Sequence, residues 1–194
     1  MSQQYPLDLA PEPINTFENF QIGKSNEQAF KAVSSFPNWP IPNLLLIAPQ
    51  GAGKTHLGRA WADKFDNVVF VDDAELVDDM QLFAALNRAL NGEVEGCLLT
   101  SSLFPQDWNV QLPDLNSRLK NCPIVHMDDP EDDILDPITR KLFQDKGRDI
   151  RIDVVAFILK NFERSIPQIS QLIDELDQAA SEQKKDITLS LIHI

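Results

Sequence analysis

The sequence predicts an α/β protein: a small parallel sheet of about four strands, then an all-helical unit. Three observations carry this. Short, continuous apolar runs alternate with stretches of helical periodicity. A glycine-rich turn joins the first of these runs to a helix. After Met127 the strand-like runs stop, and helical patterns alone continue.

Each element has a local reason. Pro6, Pro11 and Pro13 keep the first residues extended, so 1–15 reads as an arm. Glu27 to Phe36 is a short helix with Ala29, Phe30 and Val33 inward; Pro37, Pro40 and Pro42 then break the chain. Leu44-Leu45-Leu46-Ile47 is apolar throughout, as suits a strand covered on both faces of a parallel sheet. A helix over 54–64 follows, then a second buried strand, Val68-Val69-Phe70-Val71. Gln81 to Leu90 is helical, with Leu82, Phe83, Leu86 and Leu90 on one side. Cys97 to Thr100 and Ile124 to His126 supply two more strands. Beyond them, Asp129-Pro130 starts a helix carrying Ile134, Leu135, Ile138 and Leu142. Asp153 caps a second, with Val154, Val155, Ile158 and Leu159 inward. Ser165 caps a third, with Pro167 in its first turn, and Ile187-Thr188-Leu189 opens a further one. The expected division is an arm at 1–15, an α/β domain at 16–127 and a helical domain at 128–194.

Composition narrows the function. A net charge of −13 argues against a broad surface that tracks nucleic-acid phosphates. Two cysteines, Cys97 and Cys122, are too few for a disulfide framework and fit a reducing cytoplasm. The polar opening Met1-Ser2-Gln3-Gln4 does not read as a secretory signal, and no apolar run is long enough to span a bilayer.

The strongest chemical signal is Ala48-Pro49-Gln50-Gly51-Ala52-Gly53-Lys54-Thr55, placed between a buried strand and a helix. This is the setting of a phosphate-binding loop. Gly51, Ala52 and Gly53 let backbone N–H groups turn inward around phosphate oxygens, and the helix N-terminus adds favourable partial charge. Lys54 would reach the phosphates, and Thr55 would hold Mg²⁺. Ala48 stands where the first glycine of such a loop is expected; one methyl fits there if φ is negative. Asp72 and Asp73 end the second strand. Asp72 would complete the Mg²⁺ site and Asp73 would orient an attacking water. Asp72 follows Lys54 by only 18 positions, room for one helix and one strand.

Several strings, taken in order, resemble the DnaA/Hda family of AAA+ proteins, most closely the short DnaA-related Hda homologues of α-proteobacterial type. They are Asn38-Trp39-Pro40, Gly53-Lys54-Thr55-His56-Leu57, Ala60-Trp61-Ala62, Leu98-Leu99-Thr100-Ser101-Ser102, Pro105-Gln106-Asp107-Trp108 and Leu112-Pro113-Asp114-Leu115-Asn116-Ser117-Arg118-Leu119. The resemblance implies an AAA+ core with a helical lid and ADP or ATP as ligand, with His56 joining the loop in binding it. It implies Ser102 at the sensor I position and Arg118 as an arginine finger offered in trans to a neighbour's nucleotide. The family's strand–helix unit between the two nucleotide motifs is missing here. Its sensor II arginine falls on Pro167, which leaves Arg164, one turn earlier, as the substitute cation. Both departures point to slow hydrolysis by the isolated chain.

The resemblance also implies partners. Gln4-Tyr5-Pro6-Leu7-Asp8-Leu9 is similar to the peptide by which Hda-type proteins dock on the β sliding clamp, with Gln4 setting register and Tyr5, Leu7 and Leu9 meeting the clamp. A DnaA-type initiator is the other partner, and further copies of the chain are a third. Sequence-specific DNA binding is not expected, since no recognition helix with clustered Lys and Arg is present. Two other functions fit the same residues. One is a clamp-bound adaptor that holds nucleotide structurally. The other is a small stand-alone ATPase, for which no further catalytic base is evident.

Overall fold

The computed structural model describes residues 15–183 and 186–189. The expected sheet is present. Strands β1 (Asn43–Ile47), β2 (Val68–Val71), β3 (Gly96–Ser101) and β4 (Ile124–His126) are all parallel, in the order β2-β3-β1-β4. Helices α1 (Glu27–Ser34), α2 (Lys54–Lys64), α3 (Asp79–Leu90) and α4 (Pro113–Asn121) connect and cover them.

The continuous apolar runs are explained by two cores, one on each face of the sheet. Alternate side chains of one strand point to opposite faces. Leu44 and Leu46 of β1 and Leu98 of β3 therefore join Ala29, Val33, Leu57 and Trp61 from α1 and α2. Leu45 and Ile47, with Cys97 and Leu99, join Leu82, Leu86, Leu115 and Leu119 from α3 and α4. Trp61 is stacked on Trp39 with ring centroids 5.3 Å apart, and Phe36 meets both edge-on. The tryptophans are thus core packing, as is Trp108 in the second cluster.

Helices α5 (Asp132–Asp145), α6 (Ile152–Asn161) and α7 (Ile166–Gln183) form the lid. They bury a third cluster of their own, centred on Leu135, Phe143, Val155, Ile158 and Ile173. Two expected caps are corrected. Helix α5 begins three residues after Asp129, with Glu131 at its N-cap, because Asp128 and Asp129 still follow β4 in extended chain, where the Asp128 N–H donates to the Ser25 carbonyl. Asp153 lies inside the first turn of α6 rather than before it, and clamps the Arg151 guanidinium at 2.8 and 3.1 Å. Ile187 and Thr188 are not helical; the rest of the helix expected from Ile187 falls largely outside the described residues. So do Gln4, Tyr5, Leu7 and Leu9 of the arm. Among the described residues, no helix is long and apolar enough to cross a membrane.

The N-terminal segment bridges core and lid. The Lys24 N–H donates to the Asp133 carboxylate of α5 at 3.0 Å, and a side chain at Gly23 would collide with Ile134.

Candidate nucleotide site

The sheet order builds the site. β3 lies between β1, which leads into the glycine loop, and β2, which ends at the paired aspartates. Val71 is level with Leu99 and Ile47 with Ser101, so both chain crossings emerge beside the end of β3. The Ala48 N–H donates to the Ser101 carbonyl at 3.0 Å, which ties the loop's start to that strand. Ala48 is buried and is not among the positive-φ residues, so alanine fits where the first glycine was expected. Gly51 at φ +77° and Gly53 at φ +95° do need glycine. Gly53 is the N-cap of α2, and the helix opens at Lys54.

Lys54 is only 6% exposed, and its Nζ lies 3.4 Å from Asp73 Oδ1. The Thr55 hydroxyl donates to Asp72 Oδ1 at 3.2 Å, so the two residues expected to hold Mg²⁺ stand together. The Thr100 hydroxyl donates to the same Asp72 oxygen. The Asp73 N–H in turn donates to Thr100 Oγ1 at 3.2 Å. Asp73 itself sits in the left-handed region at φ 45°, an arrangement uncommon for a non-glycine residue and often found at functional sites. Hydroxyl and carboxylate oxygens are hard donors of the kind Mg²⁺ takes, together with water and phosphate oxygens. A loop free of side chains at Gly51 and Gly53, a buried ammonium and this oxygen pair therefore fit a magnesium-bound nucleotide.

Other expected residues are placed differently. Ser102 does not reach Asp72; its N–H donates to Glu75 Oε1 at 2.7 Å, while Glu75 Oε2 is buried without a partner among the described residues. His56 is turned towards the N-terminal segment: its Nε2 is 3.2 Å from the Thr16 carbonyl, and Phe20 meets its ring edge-on at 5.4 Å. Burial lowers its pKa. Arg164 pairs with Asp132 at 2.6 Å and not with the loop. Pro167, by contrast, does arrive at the loop: its Cδ lies 2.9 Å from where a Cβ on Gly51 would stand. Arg118 is exposed and makes no ion pair among the described residues. It lines a cavity of about 600 Å³ with Ile41, Asn43 and Phe83, at the start of β1 and so at the far end of the sheet from the chain's own loop.

Sequence reasoning missed three features here. Thr100 carries no site role in the sequence reading, although it is the first polar residue after an apolar run that ends level with Val71, one residue before Asp72. The helix around Arg118 is hard to see in sequence, because Pro113 opens it and only Leu115 and Leu119 mark its inner face. Asp79, in the first turn of α3, accepts the N–H groups of Gln111 and Leu112 at 2.7 and 2.8 Å and fixes the approach to α4, a contact that no local pattern announces.

Comparison with known proteins agrees with this geometry. The family model for the bacterial DnaA ATPase domain matches residues 12–69, which include the glycine loop and α2. The chromosomal replication initiator protein DnaA of Buchnera aphidicola is 24% identical over 226 positions, covering 92% of this chain but 49% of that protein. The chain thus spans about half the length of that relative, and the aligned span exceeds its own 194 residues. Domain III of DnaA from Thermotoga maritima superposes with a TM-score of 0.79 at 18% identity, covering 92% of this chain and 94% of that one. AMPPCP-bound DnaA from Aquifex aeolicus gives 0.67 at 19% identity, with 89% of this chain and 69% of that one covered. The chain is therefore similar in sequence to the bacterial DnaA ATPase domain and in fold to domain III of DnaA.

Proposed function

We propose that this chain binds ADP or ATP with Mg²⁺ in the cytoplasm and regulates replication initiation, promoting inactivation of an ATP-bound DnaA-type initiator together with the β sliding clamp. The observation that carries the nucleotide reading is the convergence of Lys54, Thr55, Asp72 and Asp73 behind a glycine loop. A bound magnesium nucleotide would supply the charged phosphates that this cluster is shaped to hold. Lys54 would leave Asp73 for the phosphates, Thr55 and Asp72 would hold the metal, and Thr100 would keep the Asp72 carboxylate aimed. Asp73, freed of Lys54, would orient water. Arg164 is committed to Asp132 and the uncharged Pro167 stands at the loop instead, which favours slow turnover by the isolated chain.

The regulatory reading rests on Arg118. An arginine at the far end of the sheet cannot serve its own loop, and an exposed guanidinium on α4 with no ion pair among the described residues can meet a neighbour's nucleotide. Fingers of this kind contribute on the order of 10³–10⁵ in rate. Clamp docking through Gln4, Tyr5, Leu7 and Leu9 would bring the chain to the initiator on DNA. In a reconstituted assay with clamp-loaded DNA, Arg118→Ala should abolish stimulation of DnaA-bound ATP hydrolysis. Its own fold, nucleotide affinity and clamp binding should remain, and lysine should rescue poorly because it lacks the planar fork. Full stimulation by the alanine variant would leave the clamp-bound adaptor as the better reading.

A further inference from the structure

The lid comes down directly on the tip of the phosphate loop. A Cβ built on Gly51 would lie 2.5 Å from Ser165 Oγ and 2.9 Å from Pro167 Cδ. Glycine is thus required at Gly51 twice: once by its φ of +77°, once by the lid. The residues that meet the loop are the last before α7 and the second within it. Their chemistry is uneven. Pro167 has neither an N–H nor a polar side chain. The neighbouring cation, Arg164, is turned away to Asp132. Ser165 is half-buried, and its hydroxyl donates to no group among the described residues, while its carbonyl is used by the Ile169 N–H at 3.0 Å. A hydroxyl with no partner among the described residues therefore stands against the Gly51 turn, three residues before the buried Lys54.

We propose that Ser165 is the lid's binding residue for the phosphates of a bound nucleoside di- or triphosphate, donating its hydroxyl proton to a phosphate oxygen at the tip of the Gly51 loop. The inference rests on the nucleotide reading above and adds the contact by which the lid detects whether the loop is filled. A neutral donor replaces the cation that the lid directs elsewhere. Closure of the lid is then coupled to phosphate occupancy through one hydrogen bond, and not through an ion pair.

The test uses the full chain and three ligands: ADP, ATP, and adenosine competing with a fluorescent ADP analogue. Ser165→Ala should weaken ADP and ATP by about tenfold, the low end for a hydrogen bond to a charged group. It should leave adenosine unchanged, because adenosine has no phosphate to meet. Ser165→Thr keeps the hydroxyl and should bind ADP within about twofold of wild type. A merely structural serine would weaken all three ligands alike, and that result would overturn the proposal. Equal losses for Ala and Thr, or no loss for Ala, would overturn it as well. Either way the nucleotide reading would stand, since wild type would still bind ADP. A wild-type protein that binds no ADP at all would overturn both.

Discussion

Replacing Thr100 by valine isolates the hydroxyl that organises the acidic pair. The two side chains have nearly the same shape, and Thr100 is completely buried, so the change removes chemistry and leaves packing in place. Two hydrogen bonds go. The bond from Thr100 to the Asp72 carboxylate is charge-assisted and is worth about 1.5–3 kcal/mol. The Asp73 N–H, at 3.2 Å from Thr100 Oγ1, loses its acceptor, which costs about 1–2 kcal/mol for a part-buried donor. The extra methyl returns about 0.8 kcal/mol. The net expectation is a loss of about 2–4 kcal/mol. With a urea dependence of roughly 2–3 kcal/mol per molar for a chain of this size, the unfolding midpoint should fall by about 1 M at unchanged slope. Thr55→Val removes only one bond to Asp72 and should cost less. A Thr100→Val midpoint within about 0.2 M of wild type would refute the view that this hydroxyl holds the site together.

Two further outcomes follow from burial. Burial holds the His56 pKa below its ordinary 6.5, against the hydrogen bond with Thr16, and the charge of Lys141 pushes the same way as burial. The native state therefore prefers the neutral ring, and the unfolded chain takes up the proton first as pH falls. This contribution is complete above about pH 6.5 and is lost as pH drops through the native pKa, so His56→Gln should flatten stability against pH just below 6.5; an unchanged slope would count against it. Cys97 and Cys122 lie in the core beneath α3 and α4, and burial pushes both thiols up to about 12. Neither should react with a thiol reagent at pH 8 until the chain unfolds, and rapid labelling of the native protein would contradict that packing.

The parts of this molecule that were readable in advance are those where a local pattern leaves one solution. Leu44 to Ile47 is apolar at every position because both faces of β1 are covered, and that is legible without knowing what covers them. The glycine loop is legible because positive φ at Gly51 and Gly53 demands glycine. What was not legible depends on contacts between distant segments. Thr100 matters because β3 lies between β1 and β2, an order no local pattern states. His56 belongs to Thr16 and Phe20, forty and thirty-six positions away in sequence, and Arg164 to Asp132 in another helix. Asp129 and Asp153 had the right chemistry for caps, but extended chain after β4 and the Arg151 clamp set where α5 and α6 begin.

The central claim is that a buried ammonium waits behind a phosphate loop, and calorimetry of ADP and Mg²⁺ binding to wild type and Lys54→Ala tests it most directly. Lys54 is 6% exposed and faces Asp73 in the described structure, so its charge is held for a partner in the loop. Wild type should bind, and Lys54→Ala should bind at least about tenfold more weakly while melting at a similar temperature. Equal affinity for the two proteins, or no binding by wild type, would contradict the nucleotide assignment and everything built on it.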